Sequence, residues 1–140
     1  MSAFFDVNVF MDVLERRRGW KASLAVVQLV RNGKIEGYVS ALTPPIIYFL
    51  RARYTDENRA REDARRILRE FRIVPLTEEI ILNSYEESRI DDFEDCIQFH
   101  SALSTAEVLI TRNIKDFEAV KDEIAVMTPE EFLTERRERF

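Results

Sequence analysis

Apolar residues fall along this chain in short blocks separated by amphipathic stretches. Ala3–Phe5 is an apolar run that ends at Asp6, which predicts a short buried strand. Asn8 then stands as the N-cap of a helix running through Met11, Leu14 and Arg17. A second helix, Trp20–Arg31, carries Leu24, Val27, Leu29 and Val30 and stops at Asn32-Gly33, where glycine suits a left-handed helix end. Tyr38-Val39 reads as a strand, and Thr43-Pro44 as an N-cap with a first-turn proline ahead of Ile46, Ile47, Phe49 and Leu50. Acids and bases alternate from Asn58 to Glu70 with Ala64, Ile67 and Leu68 at helical spacing, the pattern of a solvated helix face. Phe71–Val74 is a short apolar piece. Thr77 caps a helix through Ile80, Ile81 and Tyr85, and Asp92 opens another over Ile97, Ala102 and Leu103. Val108-Leu109-Ile110 and Ala125-Val126-Met127 are buried strands, and Thr128-Pro129-Glu130-Glu131 starts a final helix with a capping box.

Strands alternating with helices predict an α/β protein, a short parallel sheet with helices on both faces. Right-handed crossovers then place every strand's carboxyl end on one edge. At 140 residues, one domain is expected. The net charge of −5 argues against a protein that grips nucleic acid mainly by counterion release. It leaves a nuclease open, because bound cations offset local carboxylate charge. The single Cys96 excludes an intramolecular disulfide and a Cys-based zinc cluster, and suits a reducing cytosol. The opening MSAFFDVNVF has neither a basic start nor a long apolar run, and no stretch reaches about 18 apolar residues, so a cytoplasmic, soluble protein is expected.

The carboxyl edge is where candidate chemistry gathers, since ligands of open parallel sheets collect there. Asp6 follows the first strand, and Thr111-Arg112-Asn113-Ile114-Lys115-Asp116 follows another. Asp92, Glu94 and Asp95 open the helix that returns along the sheet into that strand. Three segments can therefore bring carboxylates together, and a hard ion such as Mg²⁺ or Mn²⁺ would relieve their repulsion. Each residue also has a plainer role. Asp92 with Asp95, and Asn113 with Asp116, stand at the spacing of caps that merely start helices. Asp6 can cap its helix, while Asn8 and Thr111 suit capping or supporting hydrogen bonds. His100 reads as a surface or satisfied histidine, Cys96 as a small buried hydrophobe, and Trp20, Phe10 and Tyr48 as core or interface aromatics. The arginines between Arg51 and Arg66 read as an acid-paired surface before an RNA track.

The segments FFDVNVFMDVL, YVSALTPPIIYFLR, IVPLTEEII, DDFEDCIQFHSAL, VLITRNIKDF and VMTPEEFL together resemble the PIN-domain ribonucleases, including VapC-type toxins. They keep order and spacing over nearly the whole chain, residues 1–140 as one PIN-like domain. The resemblance implies a three-layer sandwich and Mg²⁺- or Mn²⁺-dependent hydrolysis of RNA phosphodiesters. By position it makes Asp6, Asp95, Asn113 and Asp116 catalytic, with Asp6, Asp95 and Asp116 as metal ligands. Asn8, Asp92 and Thr111 would support them, and Arg112 and Lys115 would face substrate phosphate. It further implies a homodimer and a cognate antitoxin laid over the groove, with surfaces expected near Phe10, Leu24 and Ile46–Leu50. One position departs: Ile46 stands where relatives often carry an acid or Asn, and no carboxylate lies between Glu36 and Asp56. That departure supports a second reading, a catalytically weak or silent module that binds RNA or protein. A faint likeness of Asp6-Val7-Asn8-Val9 to haloacid-dehalogenase phosphotransferases is not sustained, because Asn8 replaces the second aspartate.

Overall fold

Successive side chains on a strand point to opposite faces, so three apolar residues in a row must be covered on both sides. The computed structural model, which describes residues 1–139, shows this division as two cores. Ala3, Phe5, Val39, Val108 and Ile110 face one; Phe4, Val74 and Leu109 face the other. The strands are β1 (Ser2–Phe5), β2 (Glu36–Ser40), β3 (Arg72–Val74), β4 (Val108–Ile110) and β5 (Ala125–Met127). All pair in parallel, in the order β3-β2-β1-β4-β5.

Helices α1 (Val7–Glu15), α2 (Trp20–Arg31), α3 (Thr43–Ala52), α4 (Glu57–Ile67) and α7 (Pro129–Arg139) cover the first face. There Phe5, Phe10 and Phe71 pack ring on ring, with centroids 4.9–5.8 Å apart. Helices α5 (Glu78–Glu86) and α6 (Phe93–Leu103), with the 3₁₀ segment Ile114–Val120, cover the second. The expected three-layer α/β architecture is the one found.

Several helix ends follow from local chemistry as the sequence suggests. Gly33, at φ 72°, closes α2: its N–H donates to Val30 and that of Lys34 to Leu29. Thr77 and Asp92 cap α5 and α6, and Thr128 and Glu131 exchange reciprocal bonds at 3.0 Å ahead of α7.

Two caps are corrected. Asn8 lies inside α1, because the β1–β4 ladder runs one residue further: the Asp6 N–H donates to Ile110 and its carbonyl accepts from Val9. Thr43 is likewise inside α3. The turn starts earlier, where the Leu42 N–H donates to Ser40 Oγ and the Leu42 carbonyl accepts from Ile46. Asp56, overlooked in the sequence, caps α4 through the Arg59 N–H. The charged face of α4 is acid-paired as expected: Asp63 receives Arg51 and Arg59, and Glu62 receives Arg65 and Arg66. No helix among the described residues is long and apolar enough to cross a membrane.

The strand order places the site. The chain runs outward from β1 to β3, then crosses back to lay β4 and β5 on the other side of β1. The carboxyl ends of β1 and β4 thus diverge into connections on opposite sides, which opens a crevice between them. Asp6 and Thr111 are the first residues beyond those two strands.

Candidate active site

Asp6 stands between the end of β1 and the start of α1. It is 2% exposed, and it occupies the N-cap position of α1 without capping it. Its Oδ2 instead accepts a bond of 2.8 Å from the hydroxyl of Thr111, itself fully buried. Thr111 is held in turn by the Asn113 N–H, which donates to its Oγ1 at 3.0 Å. Burial pushes the Asp6 carboxyl up to about 6, against the pull of the Thr111 and Val7 hydrogen bonds; the charges of Glu94 and Asp116 add to the rise.

Asp95 lies in the first turn of α6, half-buried, and is pushed up to about 7. Desolvation is the largest cause, followed by the charges of Asp6, Asp92, Asp116 and Glu94. Residues from three segments therefore act on one another's ionisation. Asp92 does the plainer job foreseen for it, accepting from the N–H groups of Glu94 and Asp95. Glu94 was missed as a site residue. Its carboxyl is raised, first by desolvation, and its charge precedes that of Asp116 among the causes acting on Asp6. The only sequence signal was its place between Asp92 and Asp95.

Three expectations need correction. Among the described residues, no three Asp, Glu, His or Cys side chains form a ready-made metal cluster, so Asp6, Asp95 and Asp116 are not already gathered around one point. Asp116 is exposed on the 3₁₀ segment, from which its charge still acts on Asp6 and Asp95. Arg112 does not face open solvent to meet phosphate. Its Nε donates to Asp12 at 2.8 Å, Nη1 to Glu130 at 2.5 and 2.7 Å, and Nη2 to the Gly19 carbonyl at 2.6 Å and Ser23 at 2.8 Å. It fastens the α1–α2 turn and α7 to the residue beside Thr111. Gly19, at φ 83°, leaves room for this, since a Cβ there would stand 2.9 Å from the guanidinium. Asn8 is half-buried within α1 and caps nothing.

Lys115 and Asn113 are exposed beside the crevice. Ile46 is half-buried against the first core, and the first turn of α3 carries no acid. His100 bonds Glu87 at 3.1 Å and Cys96 is buried with its thiol on the Ile90 carbonyl, so neither joins the site.

The donor set suits a hard divalent ion. Carboxylate oxygens are the preferred ligands, and two of the carboxyls are raised by burial and like charge, which a cation would reverse. Magnesium in particular is held by one or two carboxylates with water completing the shell, so a ready-made triad is not required.

The PIN-domain family profile matches residues 2–115, most of the chain. This chain belongs to the PIN-domain family. The fold is also shared with solved structures. It superposes with TM-score 0.70 on VapBC2 from Rickettsia felis, solved bound to a promoter DNA fragment, at 14% identity over 90% of this chain and 97% of that one. VapBC-1 of nontypeable Haemophilus influenzae gives 0.70 at 19% identity, over 93% and 99%. A toxin–antitoxin complex from Klebsiella pneumoniae gives 0.67 at 27% identity, over 91% and 97%. No curated protein sequence matches the chain significantly.

Thr111→Val isolates one link in this PIN domain's site. Loss of the hydroxyl should raise the Asp6 carboxyl further above about 6, because the bond from Thr111 is what lowers it most. It should also cost about 1–2 kcal/mol of stability above pH 7, where the buried carboxylate loses a donor. Carboxyl NMR titration and urea melts measure the two; an unmoved Asp6 titration would show that Thr111 does not govern it.

Proposed function

We propose that this chain is a Mg²⁺- or Mn²⁺-dependent endoribonuclease and the toxin component of a toxin–antitoxin pair. One observation carries the reading: a buried Asp6, fixed by Thr111 at the crevice between β1 and β4, whose charge also raises Asp95. Membership of the PIN-domain family supports nuclease chemistry, and the neighbouring toxin–antitoxin structures support the biological role.

Asp6 and Asp95 would hold the ion directly, with Asp116 acting from the exposed rim and Glu94 adding negative charge. A bound divalent ion would supply Lewis-acid polarisation of the phosphodiester and activation of water. Thr111 keeps one Asp6 oxygen in a fixed direction, and Asn113 holds Thr111. Asp92 orders the first turn of α6 and so the backbone of Asp95. Lys115 is free to approach substrate phosphate.

The same reading gives the protein a cognate antitoxin, a homodimeric state and a cytoplasmic location. Phe10 cannot serve as a docking surface, because it is fully buried. Leu82, Tyr85 and Phe93 are exposed together near the α5–α6 turn, with Tyr85 stacked on Phe93, and offer the dimer an apolar face. A second reading, a PIN module that binds RNA or protein without cutting, is favoured by Ile46 alone.

Cleavage of short RNAs with and without Mn²⁺ separates them. The ribonuclease reading expects metal-dependent products that vanish in Asp6→Ala/Asp95→Ala. No cleavage above that double variant would overturn it and leave the binding module.

A further inference from the structure

The net charge of −5 conceals one strongly basic turn. Between α1 and α2 the chain reads Arg16-Arg17-Arg18-Gly19-Trp20-Lys21, four cations in six residues without an acid. All four are exposed. Arg17 pairs with Glu15; among the described residues, Arg16, Arg18 and Lys21 meet no carboxylate. By contrast, Arg59, Arg65 and Arg66 of α4 are paired with acids on their own helix. Arg53, Arg61, Arg69 and Arg72 also meet no carboxylate among the described residues, but they are spread from α3 to β3, whereas Arg16, Arg18 and Lys21 fall within one turn.

The turn is ordered, not a loose charged loop. Arg16, at φ 49°, ends α1, and the Arg16 and Arg17 N–H groups both donate to the Asp12 carbonyl. The guanidinium of Arg16 lies 5.3 Å from the centroid of the Trp20 ring, and the ammonium of Lys21 lies 5.9 Å from it. The indole thereby gathers two cations on one support. The turn is also tied to the site. Arg112 donates to the Gly19 carbonyl, and Arg112 follows Thr111, which holds Asp6.

A polyanion approaching Asp6, Glu94, Asp95 and Asp116, whose charges act on one another, is repelled unless cations beside them offset that charge. Single-stranded nucleic acids are gripped by such positive tracks with an aromatic among them. We propose that the Arg16–Lys21 turn is the docking rim for single-stranded RNA, with Arg16, Arg18 and Lys21 on backbone phosphates flanking the bond at the Asp6 crevice. Trp20 acts by fixing Arg16 and Lys21. The inference rests on the ribonuclease reading and extends it to how substrate is held.

The test uses the full chain carrying Asp6→Asn/Asp95→Asn, so that binding is read without cleavage, and a fluorescent single-stranded RNA. Adding Arg18→Glu/Lys21→Glu should weaken binding about tenfold or more and flatten the logarithmic salt dependence by about 1.4, roughly 0.7 per lost phosphate contact. Arg61→Glu/Arg65→Glu on α4 should leave both unchanged. In the otherwise wild-type chain the rim variant should raise KM with little change in kcat. Circular dichroism verifies the fold of each variant, and Arg18→Gln/Lys21→Gln replaces the reversal if that fails to fold. An unaltered salt slope, or an equal loss in the α4 variant, would overturn the rim. RNA cleavage with a rim-independent KM overturns the rim and keeps the ribonuclease; rim-dependent binding without cleavage keeps the rim and overturns the ribonuclease.

Discussion

Asp6→Asn should abolish metal-dependent cleavage and, in the same molecule, stabilise the metal-free protein above pH 7. The two effects share a cause. Asp6 is 2% exposed and its carboxyl is raised from 3.8 to about 6, chiefly by burial, so ionising it strains the folded state. A rise of that size corresponds to about 3 kcal/mol, which an uncharged amide of the same shape would recover in large part. Asn can still accept the Thr111 hydroxyl.

The pH dependence follows by linkage. Asp6 and Asp95 titrate at about 6 and about 7 when folded and near 3.8 when unfolded. Below pH 3.8 both states hold these protons and nothing is lost. As pH rises toward 7 the unfolded chain releases them first, so stability falls until both states are ionised. Wild-type stability in chelator should therefore decline from about pH 4 to about pH 7, and the decline should be shallower in Asp6→Asn. Mn²⁺ should raise the wild-type melting temperature at pH 8 more than that of the variant. Urea melts across pH and thermal melts with and without Mn²⁺ read all of this. An Asp6→Asn protein less stable than wild type at pH 8 without metal would show that Asp6 is held by favourable contacts, not by force.

Arg112→Ala should be strongly damaging although it lies outside the crevice, lowering stability by about 3 kcal/mol. Asp12 is 5% exposed and would keep only the Ser23 hydroxyl at 3.1 Å. Glu130 and the Gly19 carbonyl would lose their donor as well. A double-mutant cycle with Asp12→Ala gives the sharper result: much of the loss should disappear when the stranded carboxylate is removed too. Activity should fall in step with the loosening of the Thr111 backbone. A residue reserved for substrate would behave differently, weakening RNA binding with stability intact.

How far the sequence carried can be judged at individual residues. The β4 strand was legible because three consecutive apolar residues between polar flanks can only be buried on both faces. Asp92 and Thr77 were legible as caps because short polar side chains bond the amides beside them, a local effect. Asn8 misled because an N-cap depends on where the preceding ladder stops, and that stop is set by Ile110, far along the chain. Arg112 misled for the same kind of reason. All its carboxylate partners, Asp12 and Glu130, come from segments distant in sequence or beyond a strand, and nothing adjacent to it announces them.

Local sequence thus determined the alternation of strands and helices, their approximate ends, and the placing of Asp6, Asp95, Asn113 and Asp116 on one edge. Those properties follow from side-chain periodicity and short-range hydrogen bonds. Tertiary structure alone decided which carboxylates burial and mutual repulsion would raise, that Glu94 stands among them, and that Arg112 is a structural tie. Ionisation and ion pairing depend on distance and dielectric through space, and these become fixed only when β1 and β4 lie side by side.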